Sequence, residues 1–190
     1  MVAKVEHHLV KNFGGDLSGR KVSVFGATGP VGGCAAVIAA KYGANVELVS
    51  HHSLTDAEAK AVAYNQRYGI QLTCADGGTE ESKQKILQST EIALCCAAAG
   101  ARVITLTQMA ASSTLKIVAD VNAVAPSGAE GVDVMADGVA IADTKAYGIG
   151  ALAIGNLKYT TQHNLLKQML EARHYLDFIS AFEMARASIK

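Results

Sequence analysis

Apolar positions in the first 13 residues recur at helical spacing. Val2, Val5, Leu9, Val10 and Phe13 form one stripe, and Gly14-Gly15 ends it. From residue 21 the rhythm changes. Short β-rich runs bounded by glycine or polar clusters alternate with longer helical stretches. The runs 21–25, 45–49, 70–75, 92–97, 115–121 and 139–143 are predicted strands. The fourth is apolar throughout, as a strand buried on both faces should be. Helices are predicted over 29–42, 54–68, 79–89 and 105–111, then over 148–173 after a glycine-rich start and over 176–189 at the end. Thr55, with Glu58 three residues on, reads as a capping box for the second of these, and Thr79 and Ser82 are cap candidates for the third. A loop of small residues fills 122–138.

Strands alternating with helices imply βαβ units. The expected fold is α/β: a Rossmann-like, doubly wound parallel sheet with helices on both faces and further helices at the C-terminus. Residues 17–190 are expected to form this domain. Residues 1–16 read as a linker helix, or the remnant of a domain before it.

Composition narrows the possible partners. The 190 residues are 50% hydrophobic, and 17 basic residues balance 17 acidic ones. With no basic excess, neither nucleic acid nor an anionic membrane is an expected partner. No apolar run reaches the roughly 18 residues of a membrane span. The N-terminal stretch carries His7, His8 and Glu6 where a signal peptide needs an apolar core, so a cytoplasmic protein is expected. Cys34, Cys74, Cys95 and Cys96 lack metal-ligand spacing and read as reduced thiols, and no metal is expected.

The chemistry concentrates after the first strand, in Gly26-Ala27-Thr28-Gly29-Pro30-Val31-Gly32. Three glycines three apart, between a strand and a helix, suit a dinucleotide. One permits the sharp turn, one lets the backbone approach a pyrophosphate, and one lets helix and strand pack closely. The helix start offers unpaired N–H groups and partial positive charge. The second strand leads into Ser50-His51-His52-Ser53, with no carboxylate until Asp56. An acid there would hold the ribose hydroxyls of NAD and repel a 2′-phosphate, so NADP is expected ahead of NAD. Ala97, Ala98, Ala99 and Gly100 leave room for ribose and nicotinamide at the end of the fourth strand. Asp120 and Asn122 close the fifth. Gly150, Leu152 and Ile154 lie in a second small-residue stretch that opens a helix. No Tyr-x-x-x-Lys pair, GxSxG elbow or P-loop occurs.

Three segments carry a family resemblance: GRKVSVFGATGPVG, IVADVNAVAPSGAEGVD and AYGIGALAIGNLK. They resemble the NADP-binding domain of bacterial methylene-tetrahydromethanopterin and methylene-tetrahydrofolate dehydrogenases, from about Leu17 to the C-terminus. The most specific part is the block of Asp120, Asn122, Pro126 and Gly128. The resemblance implies direct hydride transfer from a tetrahydropterin-bound methylene to NADP in one-carbon metabolism, without metal or flavin. It implies a two-domain, homo-oligomeric protein with the pterin between domains, and Lys158 as a lysine of the cleft. Two departures stand out. Ser50-His51 replaces the family's Gly-Arg, and only residues 1–16 precede the resembling segment. An alternative expectation is therefore a non-catalytic NADP-binding module that lacks the pterin-binding half.

Overall fold

A computed structural model describes residues 1–189. Its elements run α1 (Val2–Phe13), β1 (Lys21–Phe25), α2 (Pro30–Lys41), β2 (Asn45–Ser50), α3 (Leu54–Tyr68), β3 (Leu72–Asp76), α4 (Glu80–Ser89), β4 (Ile92–Cys95), α5 (Leu106–Ala110), β5 (Ile117–Asp120), β6 (Asp137–Ala140), β7 (Tyr147–Ile149), α6 (Ala151–Glu171) and α7 (Phe178–Ser188). Seven strands form one sheet in the order β3-β2-β1-β4-β5-β7-β6. All neighbours are parallel except β6 and β7. This is the expected Rossmann-like α/β architecture, with one antiparallel edge.

Two cores flank the sheet because strand side chains alternate faces. Val22, Val24, Val46, Leu48, Ile92, Leu94, Ile117 and Ala119 pack on one side with α1, α2 and α7. Phe25, Val49, Ala93, Cys95 and Val118 pack on the other with Leu87 of α4 and Met109 of α5. The helix α1 shares the first core through Val2, Val5 and Leu9. It is tied down at two further points. Glu6 accepts from Arg186 of α7 at 2.5 Å, and Lys4 and His8 reach the Asp137 carboxylate on β6 at 2.7 and 2.9 Å.

Three details differ from the sequence reading. The cap of α3 is Ser53, whose hydroxyl accepts from the Asp56 amide at 3.1 Å, and Thr55 lies inside the first turn. Tyr147–Ile149 is a strand rather than the start of a helix. It is three residues long, holds Gly148 and is followed by Gly150, and only its pairing with β5 and β6 defines it. Finally, β6 starts two residues earlier than expected and runs antiparallel. The Thr79–Ser82 cap forms as read, with each side chain accepting from the other's backbone N–H. No helix among the described residues is long and apolar enough to cross a membrane.

The packing of α1 can be checked by substitution. Leu9 is fully buried, so Leu9→Ala should destabilise the fold by about 2–5 kcal/mol. Val10, one residue on and 56% exposed, should change stability by less than about 0.5 kcal/mol when replaced by alanine. Urea unfolding of both variants measures the contrast.

Candidate functional site

In this strand order the connections leave β1 and β4 in opposite directions, opening a crevice beyond their carboxyl ends. The glycine turn lies at one wall. Gly26 has φ +75°, and a Cβ on it would fall 2.6 Å from the Cys96–Ala97 peptide. A Cβ on Gly32 would fall 2.6 Å from the Gly26 carbonyl oxygen and 2.8 Å from Ala27 Cα. These two glycines are required by packing before any ligand is considered. Gly29 differs. It has ordinary β-region backbone, and its Cβ would meet only the Gly26 oxygen, at 3.4 Å. The space in front of it is open.

Gly29 is also the N-cap of α2, and it offers no side-chain cap. Among the described residues nothing accepts from the amides of Val31 or Gly32, and the first bond of the helix ladder is Gly33 N–H to Gly29 O at 3.0 Å. Two N–H groups at the positive end of a helix therefore face the crevice mouth, where an anionic group would satisfy them. Thr28 is exposed beside them and Pro30 occupies the first helical position. These residues fit a pyrophosphate.

The β2 edge is organised differently. Ser50 Oγ donates to the Ser53 carbonyl at 2.7 Å and accepts from its N–H at 3.1 Å, while Ser53 Oγ caps α3. Both hydroxyls build the turn. His51 and His52 are exposed, with rings 4.6 Å apart and edge-to-face. They are the free polar side chains at this corner.

Beyond β4, Ala97 is half-buried and Ala98 and Ala99 are exposed, which keeps the crevice floor low. Burial holds the adjacent thiols protonated: it pushes Cys96 up to about 12, with the Asp120 carboxylate adding to the rise, and it also raises Cys95 well above the usual thiol range. Asp120 is buried and holds the following loop. It accepts from Asn122 N–H and Ala129 N–H, both at 2.9 Å, and a Cβ on Gly128 would sit 2.8 Å from it. Asn122 donates to the Pro126 carbonyl at 3.0 Å and accepts from Val124 N–H at 2.9 Å. The Asp-Asn-Pro-Gly block is thus a folded clamp whose polar groups face one another.

At the start of α6, the amides of Gly150 and Leu152 donate to the carbonyls of Ala136 and Val134, each at 2.8 Å. Gly150 is needed because a Cβ would strike the backbone of Val134, about 2.5 Å away. Leu152 is exposed, and Ile154 is half-buried against the first core. Lys158, two turns along α6, is exposed, with its ammonium 5.5 Å from the Tyr159 ring centre.

One residue was missed by the sequence reading. Lys60, in the second turn of α3, reaches across to donate to the Thr28 carbonyl of the glycine turn. Its only sequence signal was its place after β2, which the usual search for a residue at the strand end passes over. Among the described residues, no group of three His, Cys, Asp or Glu side chains could hold a metal ion.

The fold and this crevice define a Rossmann-like α/β domain. By sequence the chain is similar to two proteins of Methylorubrum extorquens. It is 37% identical over 187 residues to the NAD(P)-dependent methylenetetrahydromethanopterin dehydrogenase of Methylorubrum extorquens, covering 97% of this chain and 63% of that protein. It is 30% identical over 164 residues to the bifunctional protein MdtA of the same organism, covering 86% of this chain and 56% of the relative. The chain thus spans about three-fifths of the length of the curated relatives it matches. No protein-family profile matches it. Among solved structures, shikimate 5-dehydrogenase from Listeria monocytogenes, in complex with shikimate and NAD, superposes over 98% of this chain and 58% of its own. The TM-score is 0.53 and the identity 18%, a likeness of fold.

The two kinds of glycine separate in experiment. Gly26→Ala should lower stability by about 1–3 kcal/mol or more through overpacking and strain, whatever the ligand. Gly29→Asp should leave the melting temperature of the free protein nearly unchanged and abolish stabilisation by NADP. Its carboxylate would stand where the phosphates belong. Thermal unfolding of both variants with and without NADP reads this out.

Proposed function

We propose that this chain is the cofactor-binding part of an NADP-dependent methylene-tetrahydromethanopterin or methylene-tetrahydrofolate dehydrogenase. The single observation that carries the reading is the glycine turn at the switch point, with two unpaired amides above an open Gly29. The similarity to the NAD(P)-dependent Methylorubrum relative supports the substrate class. In this reading residues 17–190 form the NADP-binding domain, with the 1–16 helix attached to its core.

The nicotinamide cofactor supplies the hydride acceptor, and the protein's part is placement. Val31 and Gly32 hold the pyrophosphate by their amides, with Gly26, Gly29 and Pro30 shaping the turn around it. The corner of Ser50, His51, His52 and Ser53 borders the adenosine ribose. Ala97, Ala98 and Ala99 leave space for the ring that takes the hydride. The clamp of Asp120 and Asn122, with Gly150, Leu152 and Ile154, forms the far wall. Lys158 extends its ammonium at the substrate side. The carbon between two pterin nitrogens gives up a hydride and becomes the methenyl cation, so no protein base is needed for that step.

The exposed apolar residues of α6, among them Tyr159, Leu166 and Leu170, support a further covering surface. We take this to be a substrate-side domain, in a cytoplasmic homo-oligomer. The same observation favours a second reading, in which this chain alone is a non-catalytic NADP-binding module.

Turnover distinguishes the two. The full chain is mixed with NADP and each methylene-tetrahydropterin, and methenyl absorbance is followed. Formation of methenyl product establishes the dehydrogenase. NADP binding without turnover, even with a substrate-side domain added, leaves the module. In the active form, Lys158→Ala should reduce kcat/KM by on the order of tenfold, through loss of one charge-assisted contact to the substrate, while leaving the thermal shift with NADP intact.

A further inference from the structure

The proposed NADP site lacks the expected cation at the end of β2, where Ser50-His51 stands in place of Gly-Arg. A cation nevertheless arrives at the same corner from another element. Lys60 projects from α3 and its ammonium donates to the Thr28 carbonyl, inside the glycine turn. It forms no ion pair with any carboxylate among the described residues, although Asp56 lies one helical turn before it. A half-exposed lysine that extends to a neutral carbonyl, with no acid to draw it there, is held in place by packing around its helix. Tyr64, one turn on, supplies that packing: its hydroxyl and ring lie against Gly33 of α2, at a distance no side chain on Gly33 would permit. The α2–α3 contact therefore fixes Lys60 over the turn.

An ammonium has three donors. One is taken by Thr28 O, and two remain. The side from which Lys60 arrives decides what they meet. The unpaired amides of Val31 and Gly32 lie at the start of α2 and suit the pyrophosphate. Lys60 comes from the β2 side of Thr28, where the second strand of such a fold borders the adenosine ribose. Thr28 itself is exposed.

We infer that Lys60, with the Thr28 hydroxyl, forms the subsite for the 2′-phosphate of the adenosine ribose, and so sets the preference for NADP over NAD in place of the missing strand-end arginine. This rests on the dinucleotide reading above. Lys60 is a specificity-determining residue, and its stem leaves the turn's own fold intact.

The test uses two ligands that differ only in the 2′-phosphate: 2′,5′-ADP and 5′-AMP. Affinities are measured by calorimetry for the full chain, for Lys60→Met and for Lys60→Arg. The wild type should bind 2′,5′-ADP at least about tenfold more tightly than 5′-AMP, the factor given by one charge-assisted hydrogen bond. In Lys60→Met that difference should fall to near unity with 5′-AMP affinity unchanged, and Lys60→Arg should retain most of it. Equal weakening of both ligands would assign Lys60 to the pyrophosphate or to the turn's structure and overturn the proposal. An unchanged difference would overturn it as well. Binding of neither ligand by the wild type would instead remove the dinucleotide reading, and this proposal with it. Salt gives a second check that needs no variant. Between 50 and 500 mM salt, the wild-type preference for 2′,5′-ADP should shrink as the exposed charge is screened, and a salt-independent preference would count against a lysine.

Discussion

One contact has no room in it, and the site depends on that. At the end of β1 the chain turns so close to the Cys96–Ala97 peptide that not even a methyl group fits at Gly26. This approach lets β1 and β4 run side by side to their carboxyl ends. It also aims the following residues upward and starts α2 directly over the crevice. Gly32 then repeats the constraint one turn into the helix, against the Gly26 carbonyl. There the Val31 and Gly32 amides are left with no acceptor among the described residues. The open amides of the turn are a by-product of how tightly its ends are packed.

The polar residues around the crevice serve geometry more than contact. Asp120, Asn122, Ser50 and Ser53 all direct their hydrogen bonds into their own loops. Each stabilises a bend that could not otherwise be buried, because backbone groups out of water need partners. What faces the open space is mostly backbone, alanine and glycine, with Lys60, Thr28 and the two histidines as exceptions at one corner. Side-chain charge at the glycine-turn end of the crevice is thus gathered at that one corner, while Ala97, Ala98 and Ala99 beyond β4 are small and uncharged.

Much of this was legible in the sequence, for identifiable reasons. Helices with a clear apolar stripe or strong caps, such as α1 and α4, were readable to within a residue. So were strands with an unbroken run of β-branched or aliphatic residues, such as Lys21–Phe25. The glycine turn was readable because spacing and position coincide. The strand Tyr147–Ile149 was not, since three residues with a glycine in the middle and another after them carry no periodicity and exist only through pairing. The cap of α3 was misplaced by two residues because serine and threonine alternate there and only the backbone angles choose between them. Lys60 was invisible for a different reason. Its meaning depends on α3 lying across α2, a tertiary fact that spacing along the chain does not encode. The roles of Asp120 and Asn122 were half-read: the sequence marked the block, and the structure shows that its members bond chiefly to one another.

The clasp between α1 and β6 has a consequence for how the molecule meets others of its kind. An outermost strand offers a row of unpaired backbone groups on which a foreign strand can grow. Here that strand begins with a carboxylate already engaged by Lys4 and His8. Its register shifts between Asp137 and Val139, and the His8 ring lies against Gly138. A charge, an irregularity and a covering helix are three separate ways of spoiling a template, and all fall within four residues. The sheet is thereby discouraged from extending into a neighbouring molecule at this border, which leaves helix surfaces as the natural place for association.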